Sequence, residues 1–129
     1  MNTELQQIQQ AAQGLFFLSE SDYPFEIVHL EKADSIENQL LGLANKPAGT
    51  AIEKTTLDYF LRNMTRIDPD ATVEQHDIAQ RFKRLQDTLK EKLSDIQVYR
   101  IGRIKIDAFA IGKLKDGSFG GLRTKLIET

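Results

Sequence analysis

Two short stretches concentrate oxygen-bearing side chains where a partner could meet them. One is Ser19-Glu20-Ser21-Asp22, two hydroxyls and two carboxylates in four residues. The other is the chain end, Glu128-Thr129. An end that leaves a sheet edge there brings a hydroxyl, an acidic side chain and an α-carboxylate together. Such a group can enter another protein's cleft, or it can simply be the fraying end of an edge strand. The four-residue stretch likewise reads as a loop that satisfies its own backbone, with Glu20 and Asp22 either paired or solvated. The remaining chemistry is sparse. His76-Asp77 has the composition of a metal-binding pair, but adjacent residues diverge on a helix and no second histidine follows at ligand spacing. His29 falls in a strand pattern and reads as a core or edge histidine. Gly120-Gly121 lies inside another strand pattern, where it permits a bulge or close backbone packing. No glycine-rich phosphate loop or nucleophile elbow is present. The chain contains no cysteine, which removes thiolate nucleophiles and disulfides. With no base, nucleophile or cofactor fingerprint, an enzyme is not expected, and neither is a cofactor or metal of the protein's own.

The 129 residues suit one domain spanning 1–129. A chain of this length buries about two-thirds of its unfolded surface and needs no metal to hold a core. The start, MNTELQQIQQ, has neither a basic nor an apolar leader region. No run approaches the roughly 18 apolar residues of a membrane span. The cytoplasm is therefore the expected location, with no membrane partner. The net charge of −2 is unevenly placed. Residues 1–40 hold seven acidic side chains against Lys32 alone, and residues 100–129 hold seven basic ones against three acids. The halves could attract each other, meet a basic protein, or meet nucleic acid. A nucleic-acid interface would use Arg100, Arg103, Lys105, Arg123 and Lys125, with Tyr99, Phe109 and Phe119 for stacking. The apolar crowding of those strands argues against an open face, so direct nucleic-acid binding is not expected.

The elements that position these residues follow from periodicity. Asn2 or Thr3 caps a helix through Leu5, Ile8, Ala12 and Leu15. Phe16 to Leu18 lead into the core, and Pro24 ends any helix at Tyr23. Phe25 to Leu30 alternate as a strand. Asp34 with Glu37 reads as a capping box for a short helix through Leu40 and Leu43. Leu57, Phe60 and Leu61 give one or two helical turns, and Met64 to Asp70 a loop. Thr72 with Gln75 opens the clearest helix, through Ile78, Phe82, Leu85, Leu89 and Leu93. Ser94-Asp95 ends it. Beyond it, Ile104, Ile106, Ala108 and Ala110 alternate with Lys105, Asp107, Phe109 and Ile111. Asp116-Gly117 reads as a type I′ hairpin turn, and the last strand runs from Ser118 to about Ile127. Helices lead and strands follow, so the class is α+β. Strands apolar on both faces predict a three-layer α-β-α sandwich with a central, mainly antiparallel sheet.

Two long stretches carry a resemblance. GLFFLSESDYPFE (Gly14 to Glu26) and QVYRIGRIKIDAFAIGKLKDGSFGGLRTKLIET (Gln97 to Thr129) resemble the nuclease A inhibitor family, with looser agreement through Lys46 to Thr50, Leu57 to Phe60 and the long helix. The resemblance implies an α-β-α protein that blocks a sugar-non-specific, magnesium-dependent nuclease of the ββα-metal type. Thr129 would enter the active site and offer oxygens to the enzyme's Mg²⁺, a hard cation that takes oxygen ligands. Glu20, in the Ser19-Glu20-Ser21 loop, would pair with a basic side chain that otherwise holds phosphate. Glu128 would accompany Thr129. The family commonly carries a Trp before the long helix, where this chain has RIDPDATVE; Asp68 and Asp70 are candidates to supply contact there by charge. The implied protein is a monomer when free, with a nuclease as partner. The alternatives are an interaction protein of the same fold with a different protein partner, or a weak nucleic-acid-binding module.

Overall fold

A computed structural model describes residues 2–20, 22–30 and 35–128. Ser21, Lys32, Asp34 and Thr129, named above, lie outside that range. Five strands form one antiparallel sheet: β3 (Glu26–Leu30), β4 (Glu53–Thr55), β5 (Ser94–Ile101), β6 (Lys105–Lys113) and β7 (Phe119–Ile127). Their order is β3-β7-β6-β5-β4. A separate hairpin pairs β1 (Phe16–Leu18) with β2 (Asp22–Pro24). The helices are α1 (Thr3–Ala12), α2 (Ile36–Leu43), α3 (Leu57–Phe60), α4 (Arg62–Thr65) and α5 (Val73–Lys92).

The alternation along the strands sorts the core into two halves. Val98, Ile106, Ala108, Ala110, Leu122 and Leu126 pack with α1, α3, α4 and α5. Tyr99, Ile101, Phe109 and Ile111 face the other way and pack with Leu40 and Leu41 of α2. Successive strand residues point to opposite faces, so one sheet buries two apolar layers and requires helices on both sides. The expected α+β class and α-β-α layering are therefore present, with α1 and α5 sharing a face. Among the described residues, no helix is long and apolar enough to cross a membrane.

Local signals explain most boundaries. Asn2 caps α1, its Oδ1 accepting from the Glu4 backbone N–H at 2.9 Å. The capping box on α5 is complete: the Gln75 N–H donates to Thr72 Oγ1 at 3.1 Å, and the Thr72 N–H to Gln75 Oε1 at 2.9 Å. Several expectations need correction. Ser35 caps α2, accepting from the Asn38 N–H at 3.4 Å. Ile78 is exposed, and Ala79 takes the buried position on α5. The helix ends at Lys92, and Ser94 already belongs to β5. α4 occupies the start of the loop expected from Met64, and β4 was not anticipated. Ile104 is exposed in the turn between β5 and β6 and does not join the ladder. The Asp116-Gly117 turn is not type I′, because only Gly117 has a positive φ, 88°. The Gly117 N–H donates to Leu114 O at 3.0 Å and the Leu114 N–H to Ser118 O at 2.8 Å. That is a three-residue hairpin loop with glycine in the left-handed position.

On the α2 side, the Lys54 ammonium meets Glu37 at 2.9 Å and lies 5.7 Å from the Tyr99 ring centre. The hydrogen bond to Glu37 raises the lysine above its ordinary 10.5. Burial is the main cause that raises the Tyr99 hydroxyl above 10.0, opposed by the lysine charge. Both groups hold their protons more tightly folded than unfolded. Their contribution is full below pH 10 and is lost as pH rises through the folded-state values. The melting temperature is expected to fall from about pH 10 upward, with a shallower fall in Tyr99→Phe. Melting curves from pH 8 to 12 check this; superimposable pH profiles for the two proteins would contradict it.

Candidate functional site

The β1–β2 hairpin places the Ser19-Glu20 segment. Its Phe17 points inward and stacks on Phe60 of α3, with ring centres 4.6 Å apart. Phe17 also meets Phe25 edge to face at 6.4 Å, and Phe25 meets Phe82 of α5 at 6.2 Å. Such aromatic pairs add about 0.5–1.5 kcal/mol each beyond the area they bury. They tie a two-stranded hairpin, which is marginal alone, to the main core. The stretch read as a loop thus belongs to a hairpin, with β2 as its return strand.

Two hydrogen bonds then fasten the hairpin to β7. Thr124 Oγ1 donates to Pro24 O at 2.9 Å. The Ile127 backbone N–H donates to Ser19 Oγ at 3.1 Å. The second is the decisive one for the site. It joins the hairpin tip to the last residue of β7, across 108 residues of sequence. Glu128 follows at once, its N–H donating to Ile104 O at 2.9 Å. Glu20 and Glu128 are both exposed, and both line one cleft of about 530 Å³. Tyr59, Phe60, Arg62, Asn63 and Arg100 also line it. Tyr59 is 54% exposed, with the Arg62 guanidinium 3.6 Å from its ring centre. The structure therefore brings together Ser19, Glu20 and Glu128. Asp68 and Asp70 are exposed in the loop after α4 and are not among the residues lining the cleft; Asp68 lies 3.7 Å from Arg66.

Sequence reasoning missed Tyr59, Arg62 and Arg100 as companions of that cleft. Tyr59 follows Leu57 and precedes Phe60, so a helical pattern there marks the core and says nothing of the residue between. Arg100 is ionically paired to Glu53, directly opposite it on β4, and to Glu128. A three-residue edge strand leaves too little periodicity for that register to be read.

The other candidate constellations resolve differently. His29 Nε2 and Ser118 Oγ are 3.0 Å apart, and the Ser118 hydroxyl donates to Asp116 Oδ1 at 2.5 Å. The proton of Ser118 is therefore committed to the carboxylate and not to the imidazole. A nucleophilic serine needs the reverse arrangement, a base that accepts its proton. Ser118 is also buried, at 4% exposure. These three residues clasp the β6–β7 turn to β3. Among the described residues, no group of three or more His, Asp or Glu is placed to hold a metal ion. Of the stacking residues a nucleic-acid interface would need, Tyr99 and Phe109 are buried under α2. Arg123, one of its basic residues, is engaged with Asp107 at 3.6 Å.

Comparison with known proteins places this arrangement. No curated protein matches the chain. The family model described as nuclease A inhibitor-like protein matches residues 2–129, and the family implies a nuclease as partner. On a match of that extent, the chain belongs to the nuclease A inhibitor-like family.

Proposed function

We propose that this protein inhibits a sugar-non-specific, magnesium-dependent nuclease of the ββα-metal type by occluding its active site. Ser19 and Glu20 at the hairpin tip, with Ser21, Glu128 and Thr129, act as one contact surface. The observation that carries this reading is the Ser19 Oγ to Ile127 N–H bond, which sets the tip beside the end of β7. Two loops that moved independently would have to be ordered on binding, at a cost in affinity; two loops joined in advance avoid it. Glu20 pairs with a cation that the nuclease otherwise uses on phosphate. The oxygens of Thr129 serve as ligands for the partner's Mg²⁺, which favours hard oxygen donors. The metal belongs to the nuclease. Asp68 and Asp70, exposed outside the cleft, contribute long-range attraction to a surface that evolved to hold polyanions. The free inhibitor is a monomer and works in the cytoplasm.

Cleavage of plasmid by such a nuclease, titrated with the protein, tests this. Cleavage is expected to stop at stoichiometric inhibitor and saturating Mg²⁺. Undiminished cleavage by nucleases of this type, with a folded inhibitor in excess, would overturn the reading.

A further inference from the structure

One side chain outside the proposed contact residues reaches Glu128, just past the end of β7. Arg100 of β5 stands directly opposite Glu53 of β4 and Ala108 of β6, and Ala108 stands opposite Thr124 of β7. These four residues form one cross-strand row on the face covered by α1 and α5. Glu128 lies on the same face, four residues beyond Thr124. The Arg100 guanidinium reaches Glu53 Oε1 at 3.2 Å with one nitrogen and Glu128 Oε2 at 2.6 Å with the other. To do so it must cross β6, and the alanine at 108 leaves room for it. The arginine is mostly enclosed, with 15% of its side chain exposed, whereas its two acidic partners are 70% and 52% exposed. The guanidinium is thus the fixed part of the triad, and the carboxylates come to it. A planar fork with two donor directions suits that task, which a lysine ammonium does less well.

We infer that Arg100 is a positioning residue: it holds the Glu128 side chain across β6 and so sets the direction in which the chain leaves β7 toward the partner. This rests on the inhibitor reading above only for its effect on inhibition. Its structural part stands on the geometry alone. Glu53, anchored to the same guanidinium, fixes the arginine from the sheet's other edge.

The test compares wild type, Arg100→Met, Arg100→Lys, and each arginine variant in a chain lacking Glu128 and Thr129. Two readouts are taken: fast backbone motion of the Glu128 amide by ¹⁵N relaxation, and the inhibitor concentration that halves nuclease cleavage. In Arg100→Met the Glu128 amide should become markedly more mobile while the Ile106 amide does not. The half-inhibitory concentration should rise roughly tenfold or more, and Arg100→Lys should recover part of it. In the truncated chain, Arg100→Met should change inhibition no further. Unchanged Glu128 mobility in Arg100→Met would overturn the positioning role, whatever inhibition does. A further loss of equal size in the truncated chain would show that Arg100 acts through general stability, and would also overturn it. If wild type fails to inhibit while Glu128 responds as expected, the inhibitor reading falls and the positioning role stands.

Discussion

Removing Glu128 and Thr129 is expected to weaken inhibition more than a hundredfold while leaving a folded protein. The last core side chain of β7 is Leu126, at 3% exposure, and β7 still closes on β6 through the Ile127 and Lys105 pair. Among the described residues, truncation removes the Glu128 to Ile104 backbone hydrogen bond and the Glu128 to Arg100 ion pair. Arg100 keeps Glu53. A hydrogen bond and a partly exposed ion pair each contribute about 1 kcal/mol or less, so the melting temperature should fall by only about 4–8 °C. The loss of inhibition should be far larger. A residue that reaches the centre of an interface and ligates a metal there behaves as a hot spot, on the order of 3 kcal/mol or more, which is over a hundredfold in affinity. Cleavage assays and thermal melts on the same preparations separate the two effects. A truncated protein that inhibits within a few-fold of wild type would contradict the proposed contact.

Gly121→Ala is the second large effect, and it acts through the fold. Gly121, near the start of β7, pairs with Val28 on one side and Ile111 on the other, with φ at 157°. A Cβ there would collide with the carbonyl oxygen of Ala110. That oxygen is sheet backbone and cannot swing aside as a flexible side-chain end would. Its neighbour Gly120 is also closely approached, a Cβ there lying 2.8 Å from Val28 O. Strained backbone and overpacking each cost about 1–3 kcal/mol, so Gly121→Ala should destabilise by roughly 3 kcal/mol or more. Chemical denaturation with circular dichroism measures it. A change below about 1 kcal/mol would show that the strand yields where the packing says it cannot. Because β7 carries the site at its far end, this variant should lose inhibition only in proportion to its unfolded fraction.

These two positions show how unevenly the molecule could be read in advance. The close approach at Gly120-Gly121 was legible, since paired glycines inside a strand pattern have few other uses. So were the period-2 ladder of β6 and the capping box of α5, because both depend on residues a few positions apart. The two-faced apolar alternation of β6 was enough to call for helices on both sides of the sheet. What depended on long-range register was not legible. Nothing local in Ser19 says that its hydroxyl meets the Ile127 N–H. Nothing in Arg100 says that it joins Glu53 to Glu128. Glu53–Thr55 is too short to show a period, and its membership of the sheet edge depends on pairing with β5. The Ser19-Glu20-Ser21-Asp22 composition reads as a loop and hid the hairpin, whose return strand begins at Asp22. Its strands are three residues long, and Pro24 suggested an end where the structure places the last residue of β2. Ile78 was misplaced because a spacing of four fits it as well as Phe82 does, whereas the buried stripe of α5 starts at Ala79.

The most direct measurement is an amide shift map of the ¹⁵N-labelled protein titrated with a magnesium-loaded nuclease of the proposed type. The expected result is that the largest changes cluster at Ser19, Glu20 and Glu128 and along the Tyr59–Asn63 wall, with little change on α2 and β3. Changes concentrated on α2 instead, with the hairpin tip and the end of β7 silent, would contradict the joint role of those two segments.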